Sequence, residues 1–146
     1  VRRVTGGRAL LHDMEITYSY ICPVSSLSCG ESVRKSYIEI SKILIEFFKK
    51  FDIELDFGGE SGINTKFDYC MLISTGADLC YKGKKLIGSA QCRKNGYILQ
   101  HGSILYDYDV ELLTKIFKQE PDLTYFTSLK SINPDIFFML KSLHEL

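Results

Sequence analysis

A basic, glycine-containing segment near the N-terminus is the first place in this sequence where ligand chemistry could occur. Residues 2–9 read RRVTGGRA, and His12 and Asp13 follow shortly after. Paired glycines let a backbone approach a ligand closely and adopt positive φ angles. Flanking arginines can hold a carboxylate or a phosphate with two hydrogen bonds. The segment predicts a ligand-binding loop, with a basic turn before a strand as the alternative.

A lysine pair at the start of a predicted strand is the second candidate. Residues 83–91 read GKKLIGSAQ, so Lys84 and Lys85 precede a run of small residues. Small residues permit close packing of a ligand chain, and a lysine beside apolar walls can donate to an oxyanion. A solvated, charged hairpin tip is the alternative interpretation.

The third segment, LQHGSI at 99–104, places a histidine beside a glycine. Ser103, His101 and Asp107 could be assembled into a catalytic triad on paper. Ser103 lacks the G-x-S-x-G turn of hydrolases, and residues two apart on one strand are poorly placed to relay a proton. We therefore do not expect this triad, and a lone histidine in such a strand is more often structural than catalytic.

The cysteines indicate a reducing compartment. Their number is odd and no pair has the C-x-x-C spacing, which argues against a disulfide framework and against a zinc site. We expect no metal, and reduced thiols of a cytoplasmic protein are the better interpretation. One thiol could then be a nucleophile. The five cysteines are Cys22, Cys29, Cys70, Cys80 and Cys92.

Length and charge exclude several classes of protein. With 146 residues we expect one domain, 1–146. Lys and Arg together number 18, as do Asp and Glu, so the net charge of zero gives no support for a nucleic-acid partner. No apolar run reaches the roughly 18–20 residues of a membrane span. Because the chain starts without Met and inside a motif, we expect that an N-terminal segment is missing, and a missing C-terminal segment stays open.

The elements predicted from periodicity place these residues in an α+β fold. EITYSYI at 15–21 predicts a strand, and apolar residues spaced by three and four predict a helix over 31–51. Further strands are predicted at 53–57, 69–74, 77–82, 84–92 and 97–104, with a hairpin at Lys82-Gly83-Lys84 and helices at 109–118 and 134–143. The pattern indicates a central mixed β-sheet flanked by helices. The common nucleotide-binding fingerprints, G-x-G-x-x-G and the P-loop, are absent.

Taken together and in order, the segments RRVTGGRALLHD-EITYS, GKKLIGSAQ and LQHGSIL resemble the lipoate–protein ligase A / octanoyltransferase family. The resemblance covers about residues 2–107. It implies the catalytic core shared with biotin ligases, of the class II aminoacyl-tRNA synthetase/biotin synthetase-like type, with an acyl tunnel.

The resemblance also implies site residues. Lys85, not Lys84, falls on the family's catalytic lysine and would contact the acyl carbonyl. The glycine-rich loop would line the pocket, and the small-residue strand and the histidine segment would line or support it. The implied substrate-binding residues are Arg3, Gly6, Gly7, Arg8, Gly88, Ser89, Gln91, His101 and Gly102.

Cys70 decides between branches of that family. In the cysteine-dependent octanoyltransferases of Gram-positive type, a nucleophilic cysteine and then an acidic residue precede the lysine motif, and Cys70 and Asp78 meet those positions. Met71 replaces the usual aromatic residue, and Ser74-Thr75-Gly76 replaces a Pro-Ser pair. A buried strand cysteine is the alternative interpretation of Cys70.

The implied reaction is octanoyl transfer in two steps. Cys70 would take the octanoyl group from acyl carrier protein as a thioester, and Lys85 would lower the thiol pKa and stabilise the oxyanion. A lysine of a lipoyl-carrier protein, such as glycine cleavage H protein or the E2 subunit of a 2-oxoacid dehydrogenase, would then accept the acyl group without metal or ATP.

Two alternatives to this reaction stay open. One is a lipoate–protein ligase that uses ATP and Mg²⁺ and forms lipoyl-adenylate. The other is a non-catalytic acyl- or lipoate-binding module. We also expect a basic rim that steers acidic carriers, made of Arg2, Arg3, Arg8, Lys84, Lys85, Arg93 and Lys94.

Overall fold

The computed structural model describes residues 8–59, 61–62 and 69–136. Arg3, Gly6 and Gly7 therefore lie outside the described residues, as does most of the helix predicted at 134–143. The strands are β1 (Glu15–Pro23), β2 (Asp56–Phe57), β3 (Ser61–Gly62), β4 (Ile73–Ser74), β5 (Leu79–Tyr81), β6 (Lys84–Lys94) and β7 (Tyr97–Leu105). The α-helices are α1 (Val33–Lys49), α2 (Val110–Phe117) and α3 (Leu129–Ile132), and 3₁₀ turns occupy Val24–Ser26 and Cys70–Leu72.

Five strands form one sheet in the order β1-β7-β6-β5-β2, and β3 pairs with β4 separately. Two-residue turns join β5 to β6 and β6 to β7. Lys82 and Gly83 have φ of 48° and 80°, and Asn95 and Gly96 have φ of 51° and 77°. Turns with two positive φ angles match the twist of the flanking strands, so the hairpin predicted at Lys82-Gly83 is confirmed.

The α+β class is confirmed, but the predicted mixed character of the sheet needs correction. All strand pairings within the described residues are antiparallel. Parallel pairing there is limited to two isolated bridges, Ala9 with Tyr69 and Lys85 with Phe126. For β5–β6 and β6–β7 the physical reason is that a two-residue connection can join only antiparallel neighbours.

Helix α1 packs on one face of the sheet and confirms the helix predicted over 31–51. Its first turn is capped by Ser32, whose side chain accepts a hydrogen bond from the Lys35 amide at 3.3 Å. Its apolar stripe buries Ile40 and Phe48. Burial of one such side chain contributes about 1.5–3 kcal/mol. The helix ends at Lys49, and Asp52 then reverses the chain with a φ of 57°.

A second apolar layer covers part of the opposite face. Along β7, Ile104 joins the cluster around Phe48, whereas Leu105 joins a cluster with α2. This division follows from alternation, because successive strand residues point to opposite faces. The buried members of the second cluster are Tyr69, Met71, Leu72, Leu105, Leu113 and Phe126.

A β-bulge interrupts the alternation in β6. Neighbours Leu79 and Cys80 on β5 pair with Ile87 and Lys85, so Leu86 is an extra residue on β6. Leu86 and Ile87 accordingly both lie in the Phe48 cluster, although they are adjacent in sequence. An extra residue of this kind re-aims the side chains beyond it. Lys85 is thereby turned to the face that carries Gly88.

Several predicted elements differ from the structure. The strand predicted at 53–57 is limited to Asp56–Phe57, because Ile53 and Leu55 are buried in the Phe48 cluster. The strand predicted at 69–74 begins instead with the 3₁₀ turn at Cys70–Leu72. The four-residue helix α3 was not predicted, because it is too short to show helical periodicity.

The helix predicted at 134–143 stays a prediction. At its expected cap, Asn133 Oδ1 accepts a hydrogen bond from the Asp135 amide at 3.0 Å. A membrane-crossing helix of sufficient length and apolarity is not found in the described ranges.

Candidate active site

A buried lysine ammonium is the central feature of the candidate site. The Lys85 side chain is 2% exposed, and its Nζ lies 3.0 Å from Asp78 Oδ2. Nζ also donates a hydrogen bond to the Cys70 carbonyl oxygen at 3.1 Å. A buried charge is tolerated only when it is paired and hydrogen-bonded. The structure thus brings together Cys70, Asp78 and Lys85, which are well separated in sequence.

Asp78 is held in place by donors from two segments. Its Oδ2 accepts from the Thr75 amide at 2.7 Å and from Thr75 Oγ1 at 3.0 Å. Its Oδ1 accepts from the Ser89 amide at 3.4 Å. Because these bonds fix the carboxylate, the carboxylate in turn fixes the direction of the lysine ammonium. The sequence located Asp78 by its spacing from Lys85 but did not predict this ion pair.

Cys70 begins the 3₁₀ turn and remains half-buried. Its amide donates to the Ala9 carbonyl oxygen at 2.9 Å, so the described end of the basic loop lies alongside it. The neighbouring Tyr69 is buried, and burial raises the pKa of its phenol, with the negative charges of Cys70 and Glu15 acting in the same direction. Tyr69 is therefore a neutral wall of the site at physiological pH.

One side of strands β1, β7 and β6 forms a surface of mostly small residues beside Lys85. We call it the site face. Directly opposed residues of antiparallel strands share a face, so register defines its members. They are Gly88 with Ser103 and Thr17, Ala90 with His101 and Ser19, and Cys92 with Leu99 and Ile21.

Gly88 leaves the space that the lysine uses. A Cβ at this position would lie 3.2 Å from Lys85 Cε and 3.7 Å from Met71 Sδ. The lysine stem therefore crosses directly over the glycine. An added Cβ here would therefore force the lysine stem to shift by a few tenths of an ångström, and a larger side chain would need more space.

The opposite side of the same strands, which we call the helix face, is filled by a polar network under α1. The Tyr18 hydroxyl shares a hydrogen bond of 2.6 Å with Ser89 Oγ. Gln100 Nε2 donates to the Tyr18 hydroxyl at 3.3 Å and to Ser41 Oγ at 3.4 Å, and Gln91 Nε2 donates to Gln100 Oε1 at 3.1 Å. The side chains of Ser89 and Gln91 thus lie behind the site face and support it.

The remaining predicted site residues have the following places. Gly102 lies under the Tyr18 ring, where an added Cβ would come within 2.6 Å of Tyr18 Cε1. His101 is half-buried on the site face, and Arg8 is exposed at the start of the described chain. Arg3, Gly6 and Gly7 are outside the described residues.

Two members of the predicted basic rim need correction. Lys85 is buried with Asp78 rather than displayed at the surface. Arg93 donates from Nη2 to Ser36 Oγ at 2.6 Å and from Nε to Gln91 Oε1 at 3.1 Å, so it belongs to the network under α1. Both corrections have one cause: a charged strand residue that faces a packed layer must find partners inside it.

A second polar cluster lies beside the site face and was not predicted. The Glu15 carboxylate accepts hydrogen bonds from Ser103 Oγ and from Thr17 Oγ1, and its Oε1 lies 2.5 Å from His12 Nδ1. Ser103 is thus committed to Glu15, and Asp107 pairs with Lys130 Nζ. The three-residue spacing between His12 and Glu15 is the signal by which the sequence could have indicated this cluster.

The arrangement suits acyl chemistry at a thiol. A half-buried cysteine has a lysine ammonium fixed at its main chain, beside a surface of small residues. Within the described ranges, no cluster of three or more His, Cys, Asp or Glu side chains could hold a metal ion.

The chain is similar to a known family and to known proteins. The lipoyl protein ligase A/B catalytic domain family matches residues 1–136. Proteins named octanoyltransferase LipM are similar to the chain. The one from Oceanobacillus iheyensis is 38% identical over 122 residues, which are 84% of this chain and 45% of that protein. The one from Macrococcus caseolyticus is 43% identical over 124 residues, which are 80% of this chain and 45% of that protein.

Solved structures share the fold. A putative lipoate protein ligase from T. acidophilum, Ta0514, superposes with a TM-score of 0.60 at 19% identity, over 98% of this chain and 57% of that one. P. falciparum LipL1, in complex with lipoate, superposes with a TM-score of 0.60 at 22% identity, over 92% of this chain and 33% of that one. The chain spans less than half the length of the curated relatives described above.

Proposed function

This chain belongs to the lipoyl protein ligase A/B catalytic domain family, and on that premise we propose that it is the catalytic part of an octanoyltransferase. It moves an octanoyl group from acyl carrier protein, through a Cys70 thioester, to a lysine of a lipoyl-carrier protein. One observation carries the proposal: the buried Lys85 ammonium is held by Asp78 and donates to the Cys70 carbonyl oxygen.

The first half-reaction is an exchange of thioesters. The Cys70 thiolate attacks the carbonyl carbon of the octanoyl thioester, and a new C–S bond forms. The bond to the carrier thiol then breaks, and the carrier thiolate takes up the proton that Cys70 released. An acyl thioester is already activated, so this step needs neither ATP nor metal.

Lys85 supplies the electrostatic part of the catalysis. Its ammonium is fixed at the Cys70 main chain, close to where the carbonyl of a Cys70 thioester must lie. A fixed cation in a water-poor site stabilises a developing oxyanion more strongly than solvent does. Asp78 keeps the ammonium in place, so no reorganisation is required when charge develops.

The site face accommodates the acyl chain. Gly88 and Ala90 project little beyond the sheet, and Cys92 with Leu99 and Ile21 forms an apolar patch two residues farther along. An extended apolar chain whose carbonyl lies at Lys85 would follow this row.

Partners and compartment follow from the same reaction. The donor is acyl carrier protein, and the acceptor is a lipoyl domain such as H protein or an E2 subunit, all in the cytoplasm. These carriers tend to be acidic, and Arg8, Lys84 and Lys94 are exposed residues of the basic rim. Attraction to such a rim accelerates encounter and weakens as salt increases.

The test is intact-protein mass spectrometry after the chain is mixed with octanoyl-acyl carrier protein and no ATP. We expect a mass gain of one octanoyl group that hydroxylamine removes. The adduct should be absent in Cys70→Ala and retained in the matched control Cys29→Ala, whose cysteine is exposed.

A second arm then supplies a lipoyl domain, which should gain the octanoyl group. No adduct on the wild-type chain, or an adduct that persists in Cys70→Ala, contradicts the proposal. Modification of the lipoyl domain only when ATP and free lipoate are added would identify a ligase instead.

A further inference from the structure

The polar cluster of His12, Glu15 and Ser103 has the geometry of an oriented general base. The Glu15 side chain is 6% exposed, whereas that of His12 is 65% exposed. Their contact runs from Glu15 Oε1 to His12 Nδ1, at 2.5 Å. A buried carboxylate bonded to Nδ1 fixes the tautomer in which Nε2 carries the lone pair. The ring is thus both held and accessible to an incoming group.

The Glu15 carboxylate is held by hydrogen bonds from two residues of the sheet. Ser103 Oγ donates to Glu15 Oε2, and Thr17 Oγ1 donates to Oε1 at 3.0 Å. Ser103 is the cross-strand partner of Gly88, over which the Lys85 stem passes. Neighbouring strands are about 4.8 Å apart. The pair of His12 and Glu15, which we call the dyad, lies at the start of β1, and β7 separates β1 from the strand of Lys85. Two strand spacings place Glu15 about 10 Å from β6, on the same face.

The main chain also ties the dyad to the nucleophile. The Cys70 amide donates to the Ala9 carbonyl oxygen at 2.9 Å, and Leu10 and Leu11 pack against the cluster that contains Met71. His12 lies three residues beyond Ala9, which is at most about 10 Å of extended chain. His12 is thus at the rim of the site, on the segment that directly precedes β1.

We propose that His12, oriented by Glu15, is the general base that deprotonates the acceptor lysine. This inference rests on the proposed function, because it concerns the second half-reaction. A lysine amine is protonated near neutral pH and cannot attack a thioester until it loses a proton. His12 Nε2 removes that proton and passes it to solvent. Glu15 acts as a positioning residue for His12 and does not contact the acceptor lysine.

The step balances in atoms and charge. The neutral amine forms the new C–N bond at the thioester carbonyl, and the C–S bond to Cys70 breaks. The second proton of the attacking nitrogen goes to the departing sulfur, which regenerates the Cys70 thiol. One octanoyl thioester and one ammonium thus give one amide, one thiol and one proton, and the proton leaves through His12.

Other charged groups near the dyad are part of its environment. Asp13 and Arg8 belong to the same loop. Tyr69, Asp107, Tyr108 and Asp109 line one pocket together with Asp13, and Lys130 pairs with Asp107. Tyr69 interacts electrostatically with both Glu15 and Cys70.

The experiment separates the two half-reactions. The octanoyl-enzyme is formed first, and its decay is then followed by mass spectrometry after addition of a lipoyl domain. In His12→Gln, which keeps a polar side chain towards Glu15 but cannot take the proton, we expect normal formation of the acyl-enzyme. Transfer to the lysine near pH 7 should fall about 10²–10⁴-fold, the usual contribution of a general base.

Two further readouts exclude a merely structural role. Hydroxylamine is largely neutral at pH 7 and needs no base, so it should cleave the variant's acyl-enzyme at the wild-type rate. The variant's transfer rate should keep rising with pH towards the ionisation of free lysine, about pH 10, and should depend on pH more steeply than the wild-type rate. Asp13→Asn, an exposed neighbour in the same loop, should transfer as the wild type does.

Transfer at the wild-type rate in His12→Gln overturns the inference. So does an equal slowing of two reactions, the cleavage of the acyl-enzyme by hydroxylamine and the transfer to the acceptor lysine. Failure of the wild-type chain to form any acyl-enzyme would instead count against the proposed function, so the two failures are distinguishable.

Discussion

The two faces of strands β6 and β7 differ in what fills them, although the same strands carry both. The helix face is closed by α1 and by side chains that hydrogen-bond to one another, with Gln100 at the centre and fully buried. The site face holds small residues beside one buried ion pair, Lys85 with Asp78. Alternate residues of one strand therefore differ in their packing: one set forms hydrogen bonds under α1, and the other set is mostly small and leaves open space beside Lys85.

This contrast separates the effects of substitutions. On the site face, a change outside the buried pair of Lys85 and Asp78 should alter turnover more than stability. On the helix face, a change should alter stability more than turnover, because its side chains contact the site only through the sheet.

The largest expected effect concerns Lys85. Lys85→Met should lower kcat by about 10²–10³-fold, the loss typical for one donor to an oxyanion. It should also destabilise the chain by about 3–5 kcal/mol, since Asp78 remains buried without its cation.

The double variant Lys85→Met/Asp78→Asn tests whether these two effects are separate. It should recover much of the lost stability in urea unfolding but none of the turnover. Recovery of turnover in the double variant would contradict the catalytic role of Lys85.

The next largest effects are expected from alanine substitutions of two glycines, one on each face. Gly88→Ala places a Cβ 3.2 Å from Lys85 Cε, so the lysine must shift and octanoyl transfer should fall about tenfold or more. Gly102→Ala places a Cβ 2.3 Å from the Gly88 carbonyl oxygen, which is backbone and cannot move cheaply. It should instead cost about 1–3 kcal/mol of stability. The measurements are single-turnover transfer and urea unfolding, and a larger stability loss in Gly88→Ala would reverse the assignment of the faces.

The smallest expected effect is a change in the pH dependence of stability when Tyr18, on the helix face, is replaced. Burial raises the pKa of Tyr18, although its hydrogen bonds with Ser89 and Gln100 oppose the shift. Because the folded pKa lies above the unfolded value of about 10, the contribution of the neutral phenol is complete below pH 10. It is lost as pH increases through the folded pKa. Tyr18→Phe should therefore unfold with less dependence on pH above 10, and an unchanged alkaline transition would contradict this account.

Local patterns predicted those elements whose causes are local. The helix over 33–49 follows from its apolar stripe and from Ser32 as its cap, and the β5–β6 hairpin from Lys82-Gly83. By contrast, Ile53 and Leu55 alternate like a strand but pack under Phe48, so burial prevailed over periodicity. The 3₁₀ turn at Cys70–Leu72 is likewise set by its neighbours, since its first amide is bound by the distant Ala9.

The candidate site shows the same division. Cys70 and Lys85 could be selected from their order and spacing in the motifs, and these stay predictions until the proposed assays are done. Asp78 and Gly88 were also selected from the motifs, but their contacts with Lys85 were not predicted. Glu15 was not selected, because its contacts join segments that are remote in sequence. The sequence also placed Ser89 and Gln91 among the pocket residues, whereas both side chains lie in the network under α1.

The amino-acid sequence by itself determined the family and the α+β class, and it selected Cys70 and Lys85 as candidates for nucleophile and cation, because these depend on residue type and order. Only the tertiary structure decided which way those residues face. The extra residue in β6 turns Lys85 onto the site face, where Asp78 and the Cys70 carbonyl compensate its buried charge. Strand alternation predicts the opposite face for Lys85, and a bulge is specified by packing against neighbouring strands rather than by local sequence.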